Sequence, residues 1–554
     1  MTKTLSFLFA FALAGAAGHA VAQAEPKELN EPTLYELLLG EIAMQRGDYA
    51  LAAKTYLNLA RRLNDARIAR RAVEVALKGN QPEIALEAAQ LWLKSEPDSP
   101  QALEMVARML VTAQRVDDAE PYFEKLFALP AASPENGFLQ INRLLGANPD
   151  KKANLHMVRR LAQRYPKLAQ AHFAVAQAAA IAGDDAAAIA AARQAQALRP
   201  DWDAAVLIEV QLLQKRSMPE AAARLGEFVG RNPAARDARL AYARLLTLDK
   251  RYAEARAQFE ALLAANPGNT DVVYSVGLVA FQLKDYTAAE DYMKRLLSTN
   301  FRDPDGVRYI LGQVAEEQKR WPDAVRWYEQ IKDGDQAMPA RLRTANAIAK
   351  QGRLDEARAL LREVAKENPD QLAQITVAEA QLLRDANLNR DAFDMLDEAL
   401  RREPEQPELL YDYALTAEKL ERFDLLEQNL RKLIVVRPDH AHAYNALGYS
   451  FADRNIRLAE ARKLIEKALE ITPDDFFIID SLGWVQYREG KLKDAAATLR
   501  RAYGGRPDAE IGAHLGEVLW ALGERDEAKR VWQEALQAGP DNETLQKTIK
   551  RFQP

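Results

Sequence analysis

Prolines recur along this chain at a nearly constant interval, and this interval constrains the fold more than any other feature. One series runs through the C-terminal part and another through the middle, with spacings of 33 to 35 residues in both. The two series consist of Pro369, Pro404, Pro438, Pro473, Pro507 and Pro540, and of Pro166, Pro200, Pro233 and Pro267. Self-similarity at a fixed period indicates a repeated supersecondary unit. We therefore expect the 554 residues to form one long repeat array rather than several unlike domains.

The residues between the prolines fit a unit of two helices. In the unit before Pro473 the pattern is Tyr444-x2-Leu447-Gly448-x2-Phe451, followed by Ala461-x3-Ile465. This pattern resembles the tetratricopeptide repeat (TPR), a helix–turn–helix of about 34 residues. The resemblance predicts an all-α fold, a TPR superhelical solenoid of about 14 or 15 helix pairs over residues 25–540. Each proline is expected to end the second helix of its unit, because the residue before proline disfavours the α region.

Two segments interrupt the regular pattern. Residues 130–166 contain three further prolines, and residues 332–340 contain the run Lys332-Asp333-Gly334-Asp335 before Met338-Pro339. We expect a distorted repeat or a bend at each place. The last segment, residues 541–554, is predicted to be a capping helix with a polar outer face, which terminal repeats need for solubility.

The N-terminus has the pattern of a secretory signal peptide. Lys3 precedes an apolar run from Leu5 to Ala17, and small residues surround Ala24 and Ala22, the expected and the second possible cleavage sites. This pattern predicts a signal peptide over residues 1–24 and a soluble periplasmic product. The chain contains no cysteine, so disulfides, Cys-ligated zinc and the acylated cysteine of a lipoprotein are not expected. Membrane contact is then expected only through partners.

Composition and motifs argue against an enzyme or a nucleic-acid binder. The formal net charge is −5, whereas nucleic-acid binders are basic overall or on one face. The six histidines do not show metalloprotease or nucleophile spacing, and no phosphate-binding glycine loop is present. We therefore expect no catalytic residue, no metal and no cofactor. The basic cluster Arg61, Arg62, Arg67, Arg70 and Arg71 is interpreted as a solvated helix face, with anionic lipid or an acidic partner as the alternative.

In the unit that ends at Pro507, Gly483 stands directly before Trp484 within a predicted helix. Successive helical residues are about 100° apart, so the two lie on different faces. We expect Gly483 to permit close approach of the paired helix, and larger residues such as Leu482 and Leu499 to fill the space between the two helices. Trp484 would then lie on a second stripe that, by resemblance to TPR proteins, faces a concave groove.

The same stripe in the neighbouring units yields a candidate partner-binding surface rich in aromatic residues. Such residues, with arginine, are typical of interface hot spots. The candidates are Tyr411, His442, Asn445, Tyr449, Asp453, Phe477, Asp480, Trp484, Tyr487, Arg488 and Trp520. The alternative is that some of these aromatic rings pack between adjacent repeats.

Two longer stretches carry a more specific resemblance. Residues 40–62, GEIAMQRGDYALAAKTYLNLARR, and residues 444–536 resemble exported Gram-negative TPR proteins. One member type of that family is an outer-membrane lipoprotein adaptor for a periplasmic C-terminal processing protease. The resemblance implies a non-enzymatic scaffold that presents substrates, such as cell-wall hydrolases, to that protease. This chain departs from the family because it lacks the lipoprotein cysteine. The alternative is a TPR scaffold of an envelope polysaccharide-export or outer-membrane assembly machine.

Overall fold

The computed structural model describes residues 30–129 and 133–552. Within these ranges the secondary structure consists of 31 α-helices and two short 3-10 helices, without a β-strand. The predicted all-α fold is confirmed. The predicted signal peptide, residues 1–24, lies outside the described residues, as do Pro130 and the last two residues of the predicted cap. In the described ranges, no helix has both the length and the apolar character needed to span a bilayer.

The chain divides into two compact units between Pro267 and Gly268. The first unit contains fourteen of the described α-helices. They are α1 (Glu31–Gln45), α2 (Tyr49–Leu63), α3 (Ala66–Lys78), α4 (Pro82–Ser95), α5 (Pro100–Thr112), α6 (Val116–Ala128), α7 (Pro134–Leu144), α8 (Lys151–Gln163), α9 (Ala169–Ile181), α10 (Asp185–Leu198), α11 (Asp203–Gln214), α12 (Met218–Arg231), α13 (Arg236–Leu248) and α14 (Tyr252–Ala265). A 3-10 helix, Leu145–Ala147, follows α7.

The second unit contains the other seventeen described α-helices. They are α15 (Thr270–Gln282), α16 (Tyr286–Leu297), α17 (Pro304–Glu317), α18 (Trp321–Tyr328), α19 (Ala337–Ala349), α20 (Leu354–Glu367), α21 (Leu372–Asp385), α22 (Asn389–Arg402), α23 (Pro407–Lys419), α24 (Phe423–Val436), α25 (Ala441–Asp453), α26 (Leu458–Ile471), α27 (Phe476–Arg488), α28 (Leu492–Gly505), α29 (Ala509–Leu522), α30 (Arg525–Ala538) and α31 (Glu543–Phe552). A 3-10 helix, Pro369–Gln371, precedes α21.

The proline series marks the ends of the second helices. In each of the six C-terminal cases the helix ends two residues before the proline, as at Ile471 before Pro473 and at Gly505 before Pro507. In most pairs the turn between the two helices uses a left-handed residue. Gly490 has φ of 79° there, and Lys284 has φ of 60° at the corresponding turn of an earlier unit.

Small residues set the distance between paired helices. A Cβ added to Gly483 would lie 2.5 Å from Leu499 Cγ, and one added to Gly448 would lie 2.7 Å from Ile465 Cγ1. Real Cβ atoms do not approach so closely without displacing a neighbour. The prediction that Gly483 lies on the helix-packing face is therefore confirmed, and the structure shows that the residue buried opposite it is Leu499.

Both irregular segments depart from simple pairing. In the first unit, α7 packs chiefly against α9, and α8 packs against both α6 and α9. Aromatic rings fill the space, with the Phe138 centroid 4.9 Å from that of Phe127 and 5.4 Å from that of Tyr165. In the second unit, α18 has only 8 residues. A loop through Gly334, whose φ is 78°, then leads to α19.

Candidate functional site

The candidate surface is built on the first helices of four consecutive pairs, α23, α25, α27 and α29. Side chains before two of these helices fix where they begin. Asp475 accepts hydrogen bonds from the backbone N–H groups of Phe477 and Ile478, and His440 Nδ1 accepts one from Ala443. Such N-caps satisfy donors that have no partner within the helix. The candidate residues on these helices are thereby held at fixed positions along each first turn.

Two of the predicted groove residues lie in the interior instead. Asp480 is 5% exposed and Trp484 is 4% exposed. Both contact His514 of the next pair: His514 Nδ1 lies 2.9 Å from Asp480 Oδ2, and the His514 ring stacks on the Trp484 ring with centroids 4.3 Å apart. The prediction that Asp480 and Trp484 are exposed in a groove is wrong. Their face of α27 packs against the adjacent first helix, α29.

The Asp480–His514 pair is a buried ion pair with defined electrostatics. Burial alone would lower the pKa of His514, but the charge and hydrogen bond of Asp480, with Glu510 and Glu517 nearby, raise that pKa above its usual value. His514 is 3% exposed, so a proton on its ring is shielded from water. The pair joins α27 to α29, and we refer to Asp480 and His514 as the base.

Tyr449 extends this base toward α25. Its hydroxyl oxygen lies 3.5 Å from His514 Nε2. Burial, with Glu510 and other carboxylates nearby, raises the pKa of Tyr449 well above its usual value. The side chain therefore stays neutral, and it is half-buried rather than freely accessible.

A second set of predicted residues is exposed above this base. Phe477 is 41% exposed, and the Cζ atom of Arg506 lies 4.6 Å from its ring centroid. His442 and Asp453 are exposed too. Arg488 is half-buried: one of its guanidinium nitrogens donates to the Asp453 carbonyl oxygen at 2.7 Å, and its Cζ lies 4.9 Å from the Trp484 ring centroid. These residues form what we call the exposed layer: His442, Asp453, Phe477 and Arg488.

The remaining predicted residues are half-buried at the edges of the surface. The Tyr411 ring centroid lies 5.3 Å from that of His440, and burial raises the pKa of Tyr411 to about 12. The Tyr487 hydroxyl donates to Glu517 Oε1 at 3.3 Å. The Oδ1 atom of Asn445 is enclosed without a hydrogen-bond partner.

Trp520, the last predicted residue, is part of an aromatic stack at the C-terminal end. Its ring centroid lies 5.7 Å from that of Trp532 and 6.0 Å from that of Phe552 of α31. Trp484 therefore packs between adjacent repeats, as the alternative stated. The Trp520 ring also contacts other aromatic rings of the same chain.

Sequence reasoning missed three residues that define the electrostatics of this region. His514 lies one repeat period after Asp480, so the period itself was the signal that would have paired them. Glu418 and Glu510 are acids whose pKa values burial raises. Neither carboxylate lies within ion-pairing distance of a lysine or arginine in the part of the chain that the structure describes. Both carboxylates are thus partly buried without an ion pair to lysine or arginine, although Lys419 acts on both from a greater distance and His514 acts on Glu510.

The N-terminal basic cluster pairs largely within its own unit. Its members contact acids or an aromatic ring nearby: Arg61 pairs with Glu87, Arg62 with Glu36, Arg67 with Asp65 and Arg71 with Glu41, and Arg70 lies over Trp92. This supports the interpretation as a solvated helix face. Across the described residues, histidine and carboxylate side chains do not form a group of three that is placed to hold a metal ion.

Comparison with known proteins agrees with the repeat architecture. The family model of the tetratricopeptide repeat matches residues 58–135, 212–270, 250–307, 274–339, 331–371, 377–425 and 427–476. A TPR repeat-containing protein of Pseudomonas aeruginosa is 35% identical over 526 residues, which cover 94% of this chain and 88% of that protein. A human protein named as an O-mannosyl-transferase is 22% identical over 225 residues, or 25% of its length.

Solved structures with similar folds include yeast Tom70, with a TM-score of 0.35, 14% identity and coverage of 93% of this chain and 98% of that one. The APC/C heterotetramer Cut9–Hcn1 gives a TM-score of 0.33, 13% identity and coverage of 95% and 97%. The repeat matches and the Pseudomonas relative decide the assignment. The chain belongs to the tetratricopeptide-repeat proteins, a family of helical scaffolds whose repeats generally mediate protein–protein interaction.

Proposed function

We propose that this protein is a non-enzymatic scaffold of the periplasm that holds a C-terminal processing protease and presents cell-wall hydrolases to it. The observation that carries the binding role is the exposed layer, which lies on a base already fixed by the Asp480–His514 ion pair. A preformed base lowers the conformational cost of binding, because little of the surface must be ordered on association. The adaptor role itself rests on the resemblance of residues 40–62 and 444–536 to exported TPR adaptors.

The exposed layer has the composition of a peptide-binding surface. Phe477 offers an apolar ring near the start of α27, and Arg488 and Asp453 offer a charged donor and acceptor at the ends of α27 and α25. Aromatic and arginine side chains contribute a disproportionate share of interface energy. The adjacent carboxylates of Glu418 and Glu510 favour a partner segment that carries lysine or arginine, because a cation there would offset the cost of their burial.

Export is the second part of the proposal and is supported by sequence alone. Lys3, the apolar run and the residues around Ala24 match a signal peptide. Without a cysteine the mature chain cannot be acylated as a lipoprotein, so we propose that any attachment to the outer membrane is through partners.

Affinity capture from periplasmic extract, followed by mass spectrometry, tests the partner. We expect the wild-type chain to recover a C-terminal processing protease and at least one cell-wall hydrolase. Phe477→Ala should reduce that recovery about tenfold, which corresponds to about 1.4 kcal/mol. The matched control is Val435→Ala, an apolar side chain that is 79% exposed on the second helix α24, and it should leave recovery unchanged.

Recovery of polysaccharide-export or outer-membrane assembly components without a processing protease would overturn the adaptor role in favour of the alternative scaffold. Equal loss of recovery with Phe477→Ala and Val435→Ala would overturn the assignment of the exposed layer as the binding surface. Detection of the chain in the cytoplasmic fraction with residues 1–24 intact would overturn export.

A further inference from the structure

Helix α1 presents an apolar face that the described residues of the first unit, 30–129 and 133–267, leave uncovered. Leu34 is 48% exposed, Tyr35 67%, Leu38 53% and Ile42 46%. Their spacing of three and four residues places them on one side of the helix. The opposite side packs inward through Leu37, Met44 and small residues such as Gly40. A Cβ added to Gly40 would lie 2.9 Å from Tyr56 Cε2. Helix α1 therefore carries apolar side chains on both sides, one set packed inward and the other exposed.

The uncovered face carries no charge over its central length. The exposed positions from Leu34 to Gln45 are all uncharged. The acids of the helix lie beside the face and are engaged elsewhere: Glu36 pairs with Arg62 at 2.9 Å, and Glu41 pairs with Arg71 at 3.1 Å. Exposed apolar faces of this kind, bounded by polar residues, mark interaction sites.

Charged residues occur only where the face begins and ends. Glu31 is exposed in the first turn, and Arg46 is exposed directly after the last residue. Glu31 and Arg46 are equally far in sequence from the midpoint between positions 38 and 39. Tyr35 and Ile42 are equally far from the same midpoint. In an antiparallel pair of identical helices centred on that midpoint, Glu31 of each copy faces Arg46 of the other, about 11 Å from the axis along the helix.

We propose that this face binds a second copy of the same chain, with the two α1 helices packed antiparallel about a two-fold axis beside Leu38. A two-fold interface must be complementary to itself. The α1 face satisfies this requirement, because it has an apolar centre and opposite charges at equal distances from that centre. The face also follows the alternating four- and three-residue spacing of a helix–helix seam. The positions in this series are Glu31, Tyr35, Leu38, Ile42 and Gln45.

A lipid surface fits this face less well. Interfacial helices carry lysine or arginine beside their apolar side, whereas α1 carries Glu36 and Glu41 there. Three nearby arginines are paired with acids, namely Arg61, Arg62 and Arg71. By contrast, Arg46 is an exposed cation next to this helix. The charges therefore favour a protein partner that carries both an acidic and a basic residue, as a second copy of this chain does.

Sedimentation of the full chain as purified, with its N-terminal residue established by mass spectrometry, measures the association directly. We expect a reversible dimer in the micromolar range. Leu38→Glu should weaken association at least tenfold without changing helical circular dichroism. A chain that remains monomeric at all concentrations up to 100 times this range would overturn the proposal, as would a dimer that Leu38→Glu leaves intact.

Charge exchange tests the antiparallel arrangement. Glu31→Arg and Arg46→Glu should each weaken the dimer several-fold, because each places like charges opposite one another. The double variant should restore it. A double variant as weak as the single ones would overturn the antiparallel pairing.

The absence of cysteine from the chain permits a second test with a single introduced thiol. Leu38→Cys lies beside the proposed axis and should form an intermolecular disulfide under mild oxidation. Val435→Cys on α24, a position that is 79% exposed against 53% for Leu38, is the matched control and should remain largely monomeric. Equal cross-linking of the two variants would overturn the proposed interface. These tests do not involve the exposed layer of α25 and α27, so their failure would leave the proposed scaffold function standing.

Discussion

The first and the last described helices, α1 and α31, use apolar side chains in different ways. Helix α31 directs Leu545, which is fully buried, and Phe552 toward its own unit. The Phe552 ring centroid lies 5.9 Å from that of Trp532. Helix α1 also packs Leu37 and Met44 inward, but it directs Leu38 and Tyr35 outward.

This difference shows that repeat stacking alone does not decide whether an apolar side chain stabilises the fold. Burial of a large apolar side chain contributes about 1.5–3 kcal/mol relative to exposure. At the C-terminal end the free energy of burying these side chains already stabilises the single chain. At α1 the corresponding side chains are exposed, so the free energy of burying them can stabilise association instead. Substitutions at the two ends should therefore separate loss of stability from loss of binding.

The largest effect is expected from Trp532→Ala at the C-terminal end. Trp532 is 1% exposed and lies against Trp520 and Phe552. Its removal should lower the local free energy of unfolding by about 3–5 kcal/mol, because a cavity remains where the ring was. Amide hydrogen exchange of peptides from α29 to α31 measures this change. Unchanged exchange there would contradict the packing described for this end, and peptides from α1 provide the internal control.

A smaller loss of stability is expected from Gly483→Leu in α27. The close approach of Leu499 leaves no room for a side chain, and overpacking costs about 1–3 kcal/mol. Gly504 of α28 is the matched control, since an added Cβ meets nothing within 4 Å. Gly504→Ala should stabilise its helix by up to about 1 kcal/mol. Denaturant unfolding that showed the same sign for both variants would contradict the assignment of Gly483 to the packing face.

These glycines illustrate how far the sequence predicts this structure. The period of the prolines fixes the helix pairs, and the Gly483–Leu499 contact follows because both residues belong to one unit. The position of Trp484 could not be predicted in this way. A stripe of apolar residues spaced three and four apart has the same sequence pattern whether it faces a groove or the first helix of the next pair. Only the packing of α27 on α29 shows that Trp484 stacks on His514.

The irregular segment of the first unit shows the same limit. The extra prolines between residues 130 and 166 indicate a distortion, but they do not specify that α7 packs chiefly against α9. That choice depends on how Phe127, Phe138 and Tyr165 fill space together. The period thus predicts contacts within a repeat and which positions of neighbouring repeats are equivalent, whereas how side chains stack between repeats requires the structure.

The next effect is a dependence of stability on pH that only the C-terminal region should show. The pKa of His514 is raised in the folded chain, chiefly because Asp480 outweighs the effect of burial. A raised pKa means that folding favours the protonated form. This stabilisation is complete below the unfolded value of about 6.5 and is lost as pH rises through the folded value.

We therefore expect the amide exchange protection of α27 and α29 to decrease as pH rises above about 6.5. This decrease should be smaller than the loss of protection caused by Trp532→Ala. Rates must be corrected for the intrinsic pH dependence of exchange. The groups that face His514 are Asp480, Glu510, Glu517 and Tyr449. His514→Gln should abolish this pH dependence of exchange protection in α27 and α29 and should leave the pH dependence of protection in α1 unchanged. A protection that rises with pH in the wild-type chain would contradict a raised pKa for His514.

The smallest effect on stability is expected from Tyr35→Ala on the uncovered face of α1. Tyr35 is 67% exposed, so its removal should change the free energy of unfolding by no more than about 0.5 kcal/mol at concentrations where the chain is monomeric. Tyr56 is the matched control: it is 2% exposed, packs on Gly40 and donates a hydrogen bond to Glu41 Oε1 at 2.6 Å. Tyr56→Ala should cost several times more, because it opens a cavity between α1 and α2. Exchange of α1 and α2 peptides measures both variants, and a loss with Tyr35→Ala equal to that with Tyr56→Ala would show that the outer face of α1 is already covered within a single chain.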